Sequence, residues 1–162
     1  KDVRFDLCFS SPLARARKTA ELILDGQARE VPVIEDKRIQ EIDFGELEGV
    51  ICFNDAHEYL NPEMEKFFTD PWKFKRPKHG ENIADILART KDFWDEKIHD
   101  PSLLNKTILI ASHGCAVRAL LQNVYQDPEN FWHGCVPPNC SVNVVEVKNG
   151  QAVLLEEDKV YA

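Results

Sequence analysis

The chain has 162 residues, 43% of them hydrophobic and 30% charged, which is the size and composition of one globular domain with its own core. A net charge of -8 without long like-charge runs argues against a nucleic-acid or membrane-surface binder, because both classes need dense positive charge. Five cysteines without a C-x-x-C spacing indicate free thiols in a reducing compartment. Since neither a membrane-span-length apolar run nor a signal-peptide core is present, we expect a cytoplasmic protein.

The first informative stretch is a junction between a strand and a helix. The pattern VRFDLCF predicts a strand, which runs into Ser10, Ser11 and Pro12 and then into LARARKTAELIL, at helical spacing. A serine N-cap and a proline at the first helical position would start this helix. Arg15 then falls in the first turn, where a cation opposes the helix dipole. An anion bound at this helix start would explain an arginine at position 15, because a guanidinium can bind two phosphate oxygens. The alternative is that Arg15 is a plain surface charge.

The middle of the chain gives weaker signals. Residues 31–34 predict a short strand, and the polar stretch 35–50, which contains Glu41, predicts a loop with a turn of helix. Residues 51–79 have the character of an insertion or lid, with a helix over 54–68 and an aromatic and basic loop. Five side chains of this lid are candidate substrate contacts, with local packing as the alternative: Phe67, Phe68, Trp72, Lys75 and Arg76. A long amphipathic helix over 83–98 follows, with Asn82 as its predicted N-cap.

The second junction lies at Thr107–Leu121. Residues 108–111 have the length of a buried strand, and the apolar residues after them recur at helical spacing, so the period changes at Ser112-His113-Gly114. Ligands of open α/β sheets bind at the carboxyl ends of strands, and the following helix start attracts anions. His113 is therefore a candidate ligand-binding residue, with a core histidine bonded to a carbonyl as the alternative. The chain then predicts a hairpin around Asn149 and Gly150.

This order of elements predicts a three-layer α/β/α sandwich with a mainly parallel sheet, formed as one domain by residues 1–162. The two junctions would open on the same edge of the sheet. We therefore expect Arg15 and His113 to lie close together and to bind one anion.

Four blocks of the sequence, in order, resemble the histidine phosphatase superfamily, also called phosphoglycerate mutase-like. They read FSSPLARARKTAELI, IQEIDFGELEG, HGENIADI and ASHGCAVRALL. The resemblance implies that Arg15 clamps phosphate, that Glu41 is the acid that protonates the leaving group, and that His113 is the second histidine at the phosphoryl group. The N–H of Gly114 would also bind phosphate. The family's fold is the same three-layer sandwich, and its chemistry needs neither a metal nor another cofactor.

One part of the family pattern is absent. The family opens with a strand ending in Arg-His-Gly, whose histidine becomes phosphohistidine, whereas the chain's three His-Gly pairs, at His79, His113 and His133, do not follow an arginine. We therefore expect an upstream segment to carry the first strand and helix, the nucleophile and a further arginine. Full-length protein would then be a metal-independent phosphatase of a small phosphorylated metabolite, and residues 1–162 alone would be inactive.

Other functions are open at this point. A cysteine phosphatase needs Cys-x5-Arg, and Cys8 lies one residue too far from Arg15. A metal-dependent hydrolase would use His133, Cys135 and Cys140, whose spacing matches no common zinc pattern. A non-catalytic phosphate-binding module and a phosphoglycerate mutase-type transferase also remain. The mutases carry an arginine directly after the acid, where this chain has Ile42, and have a longer insertion, so we favour a phosphatase.

Overall fold

A sheet of three parallel strands is at the centre of the computed structural model, which describes residues 3–161. The strands are β1 (Leu7–Ser10), β2 (Val33–Glu35) and β3 (Ile108–Ala111), in the order β2-β1-β3. In the middle of the sheet, Phe9 of β1 lies beside Ile34 of β2 on one side and Ile110 of β3 on the other. The predicted parallel sheet is therefore confirmed, although β1 begins at Leu7 instead of Val3 and β2 spans Val33–Glu35 instead of residues 31–34.

Four α-helices and a hairpin complete the fold. The helices are α1 (Ala14–Leu24), α2 (Pro62–Thr69), α3 (Ile83–Ile98) and α4 (Gly114–Leu121). The strands β4 (Val142–Lys148) and β5 (Gln151–Lys159) form an antiparallel pair that turns at Asn149 and Gly150, as predicted. This pair is a separate sheet in the described part of the chain. Short 3-10 helices lie at Lys37–Ile39, Gly45–Leu47, Pro71–Lys73 and Pro101–Leu103.

The alternation of side chains along β1 places helices on both faces of the sheet. Cys8 points to the face covered by α1, where it packs with Ala20. Phe9 points to the opposite face and packs with Phe93 of α3, with ring centroids 5.5 Å apart, and with Leu120 of α4. The molecule is therefore the predicted three-layer α/β/α sandwich. Among residues 3–161, no helix has both the length and the apolarity that a membrane crossing requires.

The start of α1 differs from the prediction. The helix begins at Ala14 rather than Pro12, and Leu13 occupies the N-cap position without a side-chain cap. The side chains of Ser10 and Ser11 are fully buried, and the Ser11 hydroxyl contacts His113 as well as accepting the Leu13 N–H at 3.2 Å. The serines thus contact the end of the sheet instead of capping the helix, which starts two residues later than predicted.

The helix predicted over 54–68 is also wrong in its first half. The Asn54 side chain accepts hydrogen bonds from the N–H groups of Ala56 and Glu58, both at 2.9 Å, and folds these residues into a tight turn. The helix α2 starts only at Pro62, where the Asn61 side chain caps it. The prediction did not consider Asn54 and Asn61, whose side chains decide the local backbone.

Candidate active site

The carboxyl ends of β1 and β3 bring Arg15 against His113. Ser10 and Ala111 are partners at the ends of the two strands, and the next residue, Ser11, donates its N–H to the Ala111 carbonyl at 2.9 Å. The helices that follow start at this edge. Arg15 Nε lies 3.2 Å from His113 Nδ1, although 98 positions separate the two residues. The expected proximity is therefore present in the structure.

The His113 ring is buried and neutral at pH 7. Only 8% of the residue is exposed, and burial, followed by the charges of Arg15 and Arg89, lowers its pKa to about 4. Because the Arg15 Nε–H points to Nδ1, the single proton of the neutral ring belongs on Nε2, which lies 2.8 Å from Ser11 Oγ. The ring is thus held on both nitrogens, and its Nε2–H is a hydrogen-bond donor. Sequence reasoning did not single out Ser11, although it lies within a matched block.

Arg15 keeps most of its hydrogen-bonding capacity free. The residue is exposed, and within residues 3–161 its two Nη groups have no acceptor. Arg17, on the same helix, contrasts with it because it pairs with Glu21 and Glu35. Arg15 therefore presents an unpaired guanidinium fork at the edge of the sheet where His113 lies.

The Glu41 carboxylate binds backbone N–H groups in the first turn of α4, the helix that begins directly after His113. Its Oε1 accepts the N–H groups of Ile42 at 3.0 Å and Ala116 at 3.1 Å, and its Oε2 accepts the Cys115 N–H at 3.3 Å. Burial raises the pKa of the Glu41 carboxyl, while these three N–H groups and the charge of Arg15 act in the opposite direction. A carboxyl whose pKa is raised, beside an arginine and a histidine, is suited to proton transfer.

Glu41 does not bind the N–H of Gly114, the first residue of this helix. This N–H donates to no acceptor within the described residues, whereas the next two N–H groups bind Glu41. A side chain at position 114 would lie 3.2 Å from the Val136 side chain, so the loop around Val136 runs close beside this opening. The helix start therefore offers an N–H group and its dipole next to Arg15.

The residues considered for a metal site do not come together as a set of ligands. The His133 ring stacks on Tyr125 with centroids 3.4 Å apart, and its Nδ1 is 3.6 Å from a Glu157 oxygen. Cys135 and Cys140 are exposed free thiols. No three His, Cys, Asp or Glu side chains within residues 3–161 are arranged to hold a metal ion.

The candidate lid contacts divide into core and surface residues. Phe67 is 4% exposed and packs in the same core cluster as Cys115 and Ala116, so it cannot touch a substrate directly. Phe68 is half-buried against that cluster. Trp72 is 47% exposed and donates its Nε1–H to the Glu129 carbonyl, while Arg76 pairs with Asp85. Of the five side chains, only the exposed ones remain candidate substrate contacts.

Comparison with known proteins decides the family. The model of the histidine phosphatase superfamily (branch 1) matches residues 1–158. The chain belongs to the histidine phosphatase superfamily. A curated relative is a 2,3-bisphosphoglycerate-dependent phosphoglycerate mutase of Methylobacterium sp. (strain 4-46), which is 33% identical over 123 residues. The match covers 75% of this chain and 58% of the mutase, so the chain spans little more than half of that relative.

Solved structures of other proteins share the fold. Bacillus stearothermophilus YhfR superposes with a TM-score of 0.83 at 24% identity, over 99% of this chain and 77% of that protein. A phosphoserine phosphatase mutant of Entamoeba histolytica, solved with phosphoserine, superposes with a TM-score of 0.64 at 26% identity, over 94% of this chain and 73% of that one. The superfamily members thus include both phosphatases and mutases.

Proposed function

We propose that the full-length protein is a phosphomonoester hydrolase that acts through a phosphohistidine formed on a histidine upstream of residue 1. The observation that carries this proposal is the contact between the free guanidinium of Arg15 and the buried ring of His113, at the edge where the Gly114 N–H is also open. A dianionic phosphoryl group fits this combination of fork, N–H donors and helix dipole. Glu41 lies within reach of the same helix start.

The sheet edge at β3 is where we place the strand that carries the upstream nucleophile. β3 is the edge strand of the three-stranded sheet, and Ile110 in its middle is 40% exposed. A further parallel strand paired with β3 would end beside His113 and would cover Ile110. The upstream segment would then deliver a nucleophilic histidine to the phosphoryl group.

The proposed reaction has two steps. The upstream histidine attacks phosphorus, the P–O bond to the organic group breaks, and protonated Glu41 gives its proton to the leaving oxygen. Water then attacks phosphorus and gives a proton to the Glu41 carboxylate, while the P–N bond breaks and releases inorganic phosphate and the free histidine. Arg15 and the N–H of Gly114 stabilise the charge on the phosphoryl oxygens in both transition states, and His113 adds its Nε2–H where a phosphoryl oxygen replaces Ser11 Oγ as the acceptor.

Position 42 favours a phosphatase over a mutase. Ile42 is 3% exposed and lies in the apolar core with Phe67, so it provides no cation beside Glu41 for a second charged group of the substrate. Mutase-type transfer remains the second candidate because of the mutase relatives. We further propose that residues 51–79 form a lid over a small phosphorylated metabolite; the Entamoeba histolytica relative holds such a molecule, phosphoserine.

Steady-state hydrolysis of nitrophenyl phosphate by the full-length protein tests this function. We expect turnover that a chelator leaves unchanged and that vanadate inhibits, because vanadate mimics the pentacoordinate phosphoryl group. A chain that starts at residue 1 serves as the control and should release no phosphate. Full-length protein that releases no phosphate, or only with added divalent cation, would contradict the proposal.

A further inference from the structure

The guanidinium of Arg89 holds the backbone that carries Glu41. Arg89 lies on α3, and its Nε and Nη2 bind the two carboxylate oxygens of Glu81 at 2.7 and 2.8 Å. Its remaining N–H groups donate to three main-chain carbonyls: those of Arg38 at 2.8 Å, Gln40 at 2.7 Å and Glu41 at 3.1 Å. All five N–H donors of an arginine are therefore engaged. Three of these donors hold the backbone that leads up to the candidate acid and includes its own carbonyl.

The carboxylate partner of Arg89 is itself bound to the residues that follow Glu41. Glu81 Oε2 accepts the Asp43 N–H at 3.0 Å, and the Glu81 N–H donates to the Asp43 carbonyl at 2.7 Å. The backbones touch here, since a side chain at Gly80 would come within 2.7 Å of the Asp43 carbonyl. Arg89 and Glu81 thus hold the backbone before and after Glu41 by hydrogen bonds.

A third contact ties this segment to the strand that leads to His113. The Ser112 hydroxyl donates to the Ile39 carbonyl at 2.8 Å. The position of the Glu41 backbone relative to α4 is therefore determined by contacts from α3 and from the end of β3. The Glu41 side chain reaches the N–H groups of Cys115 and Ala116 from that position.

We propose that Arg89 is a positioning residue for the acid step, acting through its hydrogen bonds to the backbone around Glu41 rather than through its charge. The inference rests on the proposed function in that Glu41 is taken as the acid. The competing explanation is electrostatic, because the charge of Arg89 also acts on His113. The two differ in what a lysine at position 89 would do, since lysine keeps the charge but cannot form the fork.

The variant Arg89→Lys, in the full-length protein, separates these explanations. We expect kcat/KM, which includes only the steps up to formation of the phosphohistidine, to fall about 10-fold for an alkyl phosphate and less than about two-fold for nitrophenyl phosphate, because only the alkyl leaving group needs an acid in the right place. Arg29→Lys is the matched control, since Arg29 is 64% exposed, pairs with Asp6 and lies at the other end of β1. Equal losses on both substrates, or no loss, would overturn the proposal.

Amide proton shifts provide a readout that does not depend on turnover. Arg89→Lys should move the Cys115 and Ala116 amide protons upfield, because displaced Glu41 oxygens no longer accept them, and Arg29→Lys should leave them in place. Glu81→Gln, which keeps the size of the side chain, should move them in the same direction if the lysine variant does not fold. Unmoved amides would refute the positioning role. Wild-type protein without activity would instead contradict the proposed function, and the amide shifts would still decide the role of Arg89.

Discussion

Replacing Glu41 by glutamine should slow hydrolysis of an alkyl phosphate by about 10²- to 10⁴-fold, the usual contribution of a general acid. Glutamine can still occupy the site on the α4 helix start, but it has no proton to give to the departing alkoxide. The kcat/KM for nitrophenyl phosphate should fall far less, because its leaving group departs with little protonation and kcat/KM includes only the steps up to formation of the phosphohistidine. The comparison of kcat/KM for the two substrates therefore separates proton donation to the leaving group from the hydrolysis of the phosphohistidine, in which Glu41 is the proposed base for both substrates.

The pH dependence of alkyl phosphate hydrolysis is a second test of Glu41 as the acid. Burial raises the Glu41 pKa above its ordinary value, so the protonated form persists to a higher pH than that of an exposed glutamate. The wild-type rate should fall as the pH rises through this raised pKa, and Glu41→Gln should lack this fall. Asp43→Asn is the control, since Asp43 is exposed and its Oδ1 accepts the Gly45 N–H. Equal losses on both substrates in Glu41→Gln would move the acid elsewhere, with Asp43 as the next candidate.

Replacing Arg15 by alanine should lower kcat by about 10²- to 10³-fold, as the removal of a single donor to a transition-state oxyanion does in other enzymes. The unpaired Nη groups of Arg15 are the free cationic donors beside His113, and no other contact of the described residues would replace them. Arg15→Lys, which keeps the charge but not the fork, should fall between alanine and wild type. Steady-state kinetics with nitrophenyl phosphate would measure all three.

Arg17→Ala is the matched control for this experiment. Arg17 lies on the same helix, its side chain is 50% exposed, and its partners are Glu21 and Glu35. Exposed ion pairs contribute about 0–1 kcal/mol, so this variant should fold and keep its activity within about two-fold. An Arg15→Ala variant that is as active as Arg17→Ala would remove Arg15 from the site.

The residues at the two strand ends could be located from the sequence because local signals mark them. Arg15 stands where a cation opposes a helix dipole, and His113 stands where the period changes from strand to helix. Their proximity then follows from the geometry of parallel strands, and the structure places them 3.2 Å apart. Their roles in binding phosphate stay predictions.

Glu41 and Arg89 carry no comparable local signal. Glu41 stands in a polar stretch with several other acids, and only the resemblance to the family singled it out. What distinguishes it is contact with the N–H groups of Cys115 and Ala116, which are 74 and 75 positions further along the chain. Arg89 looks like any charged residue on the polar face of an amphipathic helix, and its five donors find their acceptors only after folding. Tertiary contacts decide both cases, as they also decide the late start of α1.

The measurement that tests the central claim most directly is covalent trapping of the phosphoryl group on the full-length protein. The protein would be mixed with phosphorus-32-labelled nitrophenyl phosphate in the presence of a chelator and quenched in base within its first turnover. We predict a label that is stable in base, lost in acid and located by mass spectrometry on a histidine upstream of residue 1. An acid-stable label, a label on cysteine, serine or a carboxylate, or active protein that never acquires a label would contradict phosphohistidine chemistry at the Arg15–His113 site.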